Sequence, residues 1–171
     1  MATAVSTLTL EEFRARYAGQ KPHYEYWFGE AIQKTVGTWL HGVLQAIVSE
    51  LLRRAGYKVA TELELRIDPQ WEPVPDVAAS EKSITGPYPT EPLDVVVEVL
   101  SPDDRMQYVY RKCREYDRIG IVGIFVLDPE EKLAWAWSRD KQNLERIAEL
   151  LLPNGRSIPL QEIWHELASR S

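Results

Sequence analysis

The chain has 171 residues, 44% of them hydrophobic and 27% charged, which is enough for one ordinary globular domain with a substantial core. A formal net charge of -6 excludes nucleic-acid binding by bulk electrostatics, so any such contact needs a local basic face. Cys113 is the only cysteine, which rules out an intrachain disulfide framework and a cysteine-based zinc site and suits a reducing cytoplasm.

The opening MATAVSTLTLEEF lacks a basic segment followed by a long apolar one, and no later run approaches the roughly 18 uninterrupted apolar residues of a membrane span. The expectation is a cytoplasmic protein with no membrane segment. In TLTLEEFRARYAG, Thr9 stands three residues before Glu12, a capping box, with Leu10, Phe13 and Tyr17 at helical spacing. HYEYWFGEAIQ then reads as a hairpin around Gly29 with Glu25 in its first arm.

Between Thr35 and Ala55 the apolar residues Val36, Leu40, Val43, Leu44, Ile47, Leu51 and Leu52 follow a 3.6-residue period, and Gly56 supplies the stop. His41 lies beside that stripe, facing either the core edge or a cleft. The segments YKVATELELRI, VPDVAAS and LDVVVEVLS carry the β-branched residues of strands and should share a sheet; the Pro-rich TGPYPTEP between the last two is a loop.

RMQYVYRKCREYDRIG is the next helix, with Asp104 as its expected N-cap and with Arg105, Tyr108, Lys112 and Tyr116 along one flank. IVGIFVLDP and KLAWAWS read as strands, LERIAELLL fits a strand or a helix, and LQEIWHELA closes the chain as a helix. This order predicts an α/β (α+β) fold, a mixed central β-sheet flanked by helices, in a single domain over residues 1–171.

Within LDVVVEVLS, Glu98 is a carboxylate in an apolar strand. Alternation puts it on one defined face with Val96, and burial requires that it be paired, protonated or bound to a metal. Pro75-Asp76 opens the preceding strand, and Lys112 lies on the helix that follows, so adjacent strands would bring all three together. Two hard carboxylate ligands suit Mg²⁺ or Mn²⁺, and a nearby lysine suits charge developing on a phosphate.

At these residues the sequence resembles the PD-(D/E)XK nuclease superfamily and, within it, the bacterial restriction endonuclease family often called Uma-two. The matching text is YEYWFGE, Trp39-Leu40-His41, VPDVAAS, VVVEVLSPDD, the Lys112 helix ending in EYDRIGI, and FVLDP. The resemblance implies a restriction endonuclease-like core. It also implies metal-dependent endonuclease activity on DNA, with Asp76 and Glu98 as metal ligands and Lys112 supporting the attack. In the wider superfamily the lysine follows the acid by two residues on the strand, where this chain has Leu100; in the Uma-two pattern it comes from the helix. Glu25 and His41 match an acid and a histidine from the family's N-terminal part. The chain departs from the family pattern at Tyr108, where an aspartate is usual, and at Gly123-Ile124-Phe125, where Glu-Tyr-Trp is usual.

Each residue also has a plainer reading. Glu98 and Lys112 can form a buried ion pair without metal, Asp76 can cap a turn, and His41 and Glu25 can be satisfied structural groups. Arg105, Arg111, Arg114 and Arg118 can be a phosphate-binding face or a solvated helix surface, and Trp135 and Trp137 are core or interface residues before they are a stacking platform. The alternative to a nuclease is therefore a catalytically inactive homodimer that keeps the fold as a binding or scaffolding module.

Overall fold

The computed structural model describes residues 7–171, so the part of the leader expectation that concerns residues 1–6 lies outside the described residues. Helix α1 (Leu10–Tyr17) opens with the expected capping box, in which the Thr9 side chain accepts from the Glu12 backbone and Glu12 reaches back to the Thr9 N–H. Strands β1 (Tyr24–Trp27) and β2 (Glu30–Gln33) make the hairpin, paired Tyr24 with Gln33. Its turn holds Phe28 at φ 49 and Gly29 at φ 93; two left-handed residues in succession are what a two-residue hairpin needs.

Helix α2 (Trp39–Arg54) starts at Thr38, whose hydroxyl accepts from the His41 N–H, and ends at Ala55 and Gly56. Of the long strand expected over residues 57–67, only β3 (Lys58–Thr61) forms; Glu62 turns to φ 53, which breaks the extended run. After the two-residue β4 (Trp71–Glu72), which pairs with β1, come β5 (Val77–Ser80) and β6 (Val95–Val99). Helix α3 (Met106–Arg118) carries the chain to β7 (Gly123–Asp128), and β8 (Leu133–Ser138), β9 (Asn143–Arg146), β10 (Glu149–Leu151), β11 (Ser157–Pro159) and α4 (Leu160–Arg170) follow.

Asp104 does not cap α3. Arg105 occupies that position without a side-chain cap, while the Asp104 carboxylate accepts from the Ser101 N–H at 2.7 Å and the Thr35 hydroxyl at 2.8 Å. LERIAELLL resolves into two short strands separated at Ile147 and Ala148.

The central sheet has the order β3-β5-β6-β7-β8-β9. Its pairs are antiparallel except β6 with β7, which is parallel because α3 crosses over between them. The sheet is thus mixed and flanked by helices, as expected. No helix among the described residues is long and apolar enough to cross a membrane.

Two apolar clusters lie on opposite faces of this sheet. One joins Val95, Val97 and Val99 to Leu44, Val48, Ile163 and Leu167 of α2 and α4. The other joins Val96 to Trp27, Trp71, Cys113 and Tyr116 of the hairpin side and α3. Strand alternation therefore turns Glu98, like Val96, toward α3 and the hairpin.

Gly123 sits opposite Val95 in the parallel ladder. A Cβ there would stand 3.1 Å from the Val95 side chain and 3.2 Å from the Asp94 carbonyl, which is already fixed by the Gly123 N–H at 2.9 Å. A side chain at position 123 is therefore tight here, and the neighbours would have to give by a few tenths of an ångström. Gly123→Ala is expected to cost about 1 to 2 kcal/mol, overpacking being partly offset by the lower entropy of the unfolded chain, read as a lower urea midpoint.

Candidate active site

β5 and β6 pair in antiparallel register with Val77 opposite Val97, which sets Asp76, just before β5, beside the end of β6. One Asp76 oxygen, Oδ2, accepts from the Val99 N–H at 2.7 Å, a bond made across the strand ends. Glu98 lies in β6 and faces the same side. Lys112, in the second turn of α3, reaches back over the sheet to place Nζ 2.9 Å from Glu98 Oε1 and 2.7 Å from Glu25 Oε1.

Glu25 comes from β1. Its carboxylate also accepts from the Val74 N–H at 2.7 Å and from Trp27 Nε1 at 3.0 Å, so the hairpin and the strand entering β5 fix its position. His41, in the first turn of α2, brings Nε2 to 3.3 Å from Asp76 Oδ2. All five side chains named from the sequence, Glu25, His41, Asp76, Glu98 and Lys112, line one cavity of about 310 Å³.

Sequence reasoning missed Lys34. It follows β2 and donates to Asp76 Oδ1 at 2.9 Å, to the Val74 carbonyl at 2.7 Å and to Glu62 at 3.1 Å, and it lines the same cavity. The available signal was its position two residues beyond Ile32 on the hairpin arm, which gives it a known side but no known partner. The second missed contact is the Tyr116 hydroxyl, which donates to Glu98 Oε1 at 2.7 Å.

These contacts give Asp76 and Glu98 different ammonium groups, Glu25 sharing the one that serves Glu98. Burial raises the Asp76 pKa, but Lys34 and His41 outweigh it and hold the carboxyl well below the usual range. Burial dominates at Glu98, pushing it up to about 7 against the pull of Lys112, with the Asp76 charge adding to the rise. Lys112 is driven the other way: burial disfavours its charge, yet Glu25, Glu98 and Asp76 together hold it above the ordinary lysine value. Lys34 is likewise raised, burial being offset chiefly by Asp76. His41 is also raised, with burial opposing and the Asp76 contact prevailing.

Both recorded contacts of Glu98 use Oε1. Among the described residues no group of three or more His, Cys, Asp or Glu side chains converges tightly enough to hold a metal by itself. What the site offers is three carboxylates, Glu25, Asp76 and Glu98, two locked cations and a histidine around one cavity. Asp103, Asp104 and Arg105 line the same cavity, whereas Asp128 takes the Glu130 and Glu131 N–H groups in a turn and Asp94 accepts from the Glu81 N–H. Cys113 is buried in packing.

The fold has a solved counterpart in the crystal structure of "a putative nuclease belonging to DUF820 from Anabaena variabilis ATCC 29413". The TM-score is 0.73 at 20% identity over 94% of this chain and 99% of that one. The cryoEM "DrdV-DNA complex" aligns at TM-score 0.41 and 13% identity, over 73% of this chain and 10% of that chain, below the level that marks a shared fold. Among curated proteins none matches. The Uma2 family, described as "Putative restriction endonuclease", matches residues 10–169, a span that holds the hairpin, both acid-bearing strands and the α3 lysine. The chain belongs to the Uma2 family.

Proposed function

We propose that the cavity is the active centre of a metal-dependent endonuclease that hydrolyses phosphodiester bonds in DNA, with Asp76 and Glu98 as the metal ligands. The observation that supports this reading best is two acids from neighbouring strands in one cavity, each with a different ammonium 2.9 Å away. The donor set suits a hard ion. Mg²⁺ or Mn²⁺ takes carboxylate oxygen, keeps several waters and needs only one or two protein acids, so a cluster of three is not required. Such an ion, when bound, lowers the pKa of a water and neutralises charge on phosphoryl oxygen.

The chain's own residues then have distinct tasks. Lys112 stays protonated between Glu25 and Glu98, so it serves as a fixed positive charge for the developing phosphorane rather than as a base. Glu25, itself held by the Val74 and Trp27 N–H groups, orients that ammonium. His41 and the Val99 N–H set the rotation of the Asp76 carboxylate, and Tyr116 does the same for Glu98.

The test is calorimetric titration with Mg²⁺ and Mn²⁺ beside cleavage of supercoiled plasmid and short single-stranded DNA. Saturable metal binding with cutting is expected; neither binding nor cutting would sink the reading. One observation favours the second reading, an inactive fold serving as a dimeric binding or scaffolding module: Lys34 and Val99 already occupy both Asp76 oxygens, so the acids are compensated without a metal. A metal-silent protein that dimerises in sedimentation would support it.

A further inference from the structure

The acids lie deep. Asp76 and Glu98 are 4% and 8% exposed, and about 310 Å³ is at the small end of ligand cavities. Bases stack on exposed rings only when they are out of a duplex, so an unpaired strand is the form that offers bases to rings and a phosphodiester to the cavity together. The surroundings of the opening are suited to a strand of that kind.

Residues 103–118 carry Arg105, Arg111, Lys112, Arg114 and Arg118 against Asp103, Asp104, Glu115 and Asp117, in a chain whose net charge is -6. Asp103 and Asp104 stand on the cavity rim, and Asp104 is engaged by the Ser101 N–H and the Thr35 hydroxyl. Two of these cations are committed: Lys112 to Glu25 and Glu98, and Arg118 to Asp68 and Glu115. Among the described residues Arg105, Arg111 and Arg114 form no ion pair, as is also true of Arg16, Arg53, Arg146 and Arg156; what sets Arg105 and Arg111 apart is their place, Arg105 on the cavity and Arg111 over the Trp27 ring. Unpaired guanidinium groups beside a cavity are ready phosphate partners.

Aromatic rings alternate with them. Arg105, Trp27 and Tyr108 line the cavity. The Tyr108 ring stands edge-on to Trp27 with centroids 6.1 Å apart, and the Arg111 guanidinium lies 4.8 Å from the Trp27 ring and 5.8 Å from that of Phe28 at the hairpin tip. Tyr108 and Phe28 are 36% and 37% exposed, so both rings present surface to solvent beside Arg111 and the cavity.

We infer that the outer face of α3 and the hairpin tip form a track for an unpaired DNA strand leading into the cavity, Tyr108 and Phe28 stacking bases and Arg105 and Arg111 contacting phosphates. This rests on the reading of the cavity as a nuclease centre. It also gives the Tyr108 departure a use: the ring that replaces the family's aspartate removes a negative charge from the strand's path.

The test is fluorescence anisotropy with a labelled 12-nucleotide single strand and with the duplex of the same sequence, in EDTA so that nothing is cut. The wild type should bind the single strand more tightly. Arg105→Gln with Arg111→Gln should weaken it about tenfold or more and lower the salt slope by about 1.4, two phosphate contacts' worth. Tyr108→Ala should weaken it about fivefold or more with the salt slope unchanged. Arg53→Gln, at the far end of α2 from His41, should change nothing, and Arg111→Lys, which keeps the charge, should retain the slope. Equal or tighter duplex binding, or an unchanged slope in the double variant, would overturn the track. The two proposals fail separately. Absent Mg²⁺-dependent cleavage with the single-strand preference intact removes the nuclease reading alone. Duplex cleavage that needs Asp76 but ignores both arginines removes the track alone.

Discussion

Replacing Asp76 with asparagine is expected to abolish metal-dependent cleavage while leaving a folded protein. The amide oxygen can still accept from the Val99 N–H, now 2.7 Å from Oδ2. With that oxygen on Val99 the amide nitrogen faces Lys34, which gives up its 2.9 Å bond to this side chain but keeps the Val74 carbonyl at 2.7 Å and Glu62 at 3.1 Å. What disappears is the negative charge and with it the proposed ligand that Lys34 and His41 hold ionised. A partner that merely orients a ligand is worth about 10- to 100-fold, so losing the ligand itself should lower kcat/KM by on the order of 10³-fold or more and remove the heat of Mg²⁺ binding. His41→Ala, which loosens the carboxylate without removing it, should fall in the 10- to 100-fold range. Asp76→Ala is the poorer probe, since it leaves the Val99 N–H buried without a partner at about 1 to 3 kcal/mol. Cleavage by the asparagine variant within tenfold of wild type would end the case for Asp76 as a ligand.

The parts of this site that could be read in the sequence are those whose physical signal is local. Glu98 is conspicuous because a charge among five β-branched and aliphatic neighbours must be explained, and alternation fixes its face without any knowledge of the fold. The capping box at Thr9, the left-handed turn at Gly29 and the stop at Gly56 are likewise written in a few adjacent residues, and each is present. Lys34 is different: it meets Asp76 across 42 positions of chain, and a lysine after a hairpin arm looks like any solvated lysine until β1 and β2 are folded over β5. Asp104 misleads for a related reason. An aspartate before a helix is a good cap by propensity, but here the Ser101 N–H and the Thr35 hydroxyl compete for the same two oxygens and win. The strand expected through residue 67 fails at Glu62, whose carboxylate is drawn to Lys34 and Gln45 while its backbone turns left-handed. In each case a contact distant in sequence outweighs a modest local preference.

Lys112→Met is expected to be the most destabilising single change at the site, by about 3 to 5 kcal/mol, because it strands two buried carboxylates rather than one. Glu25 and Glu98 each hold an oxygen within 3 Å of the same ammonium, at 2.7 Å and 2.9 Å, so without it two largely buried like charges face each other with no cation between them. The loss should depend on pH in a definite direction. Even with Lys112 present, burial pushes Glu98 from its ordinary 4.5 up to about 7, so the unfolded chain releases this proton before the folded one does. A raised acid contributes stability that is complete below the unfolded value and lost as pH climbs toward the folded one. Removing the cation raises it further, so the variant should lose more of its urea midpoint at pH 8 than at pH 5, measured in EDTA. Adding Glu98→Gln should restore much of the midpoint and flatten its pH dependence, since the amide oxygen still accepts the Tyr116 hydroxyl now 2.7 Å from Oε1 and carries no charge. A lysine that served only as a solvated helix residue would give a change below about 0.5 kcal/mol with no pH dependence, and that result would detach α3 from the acids altogether.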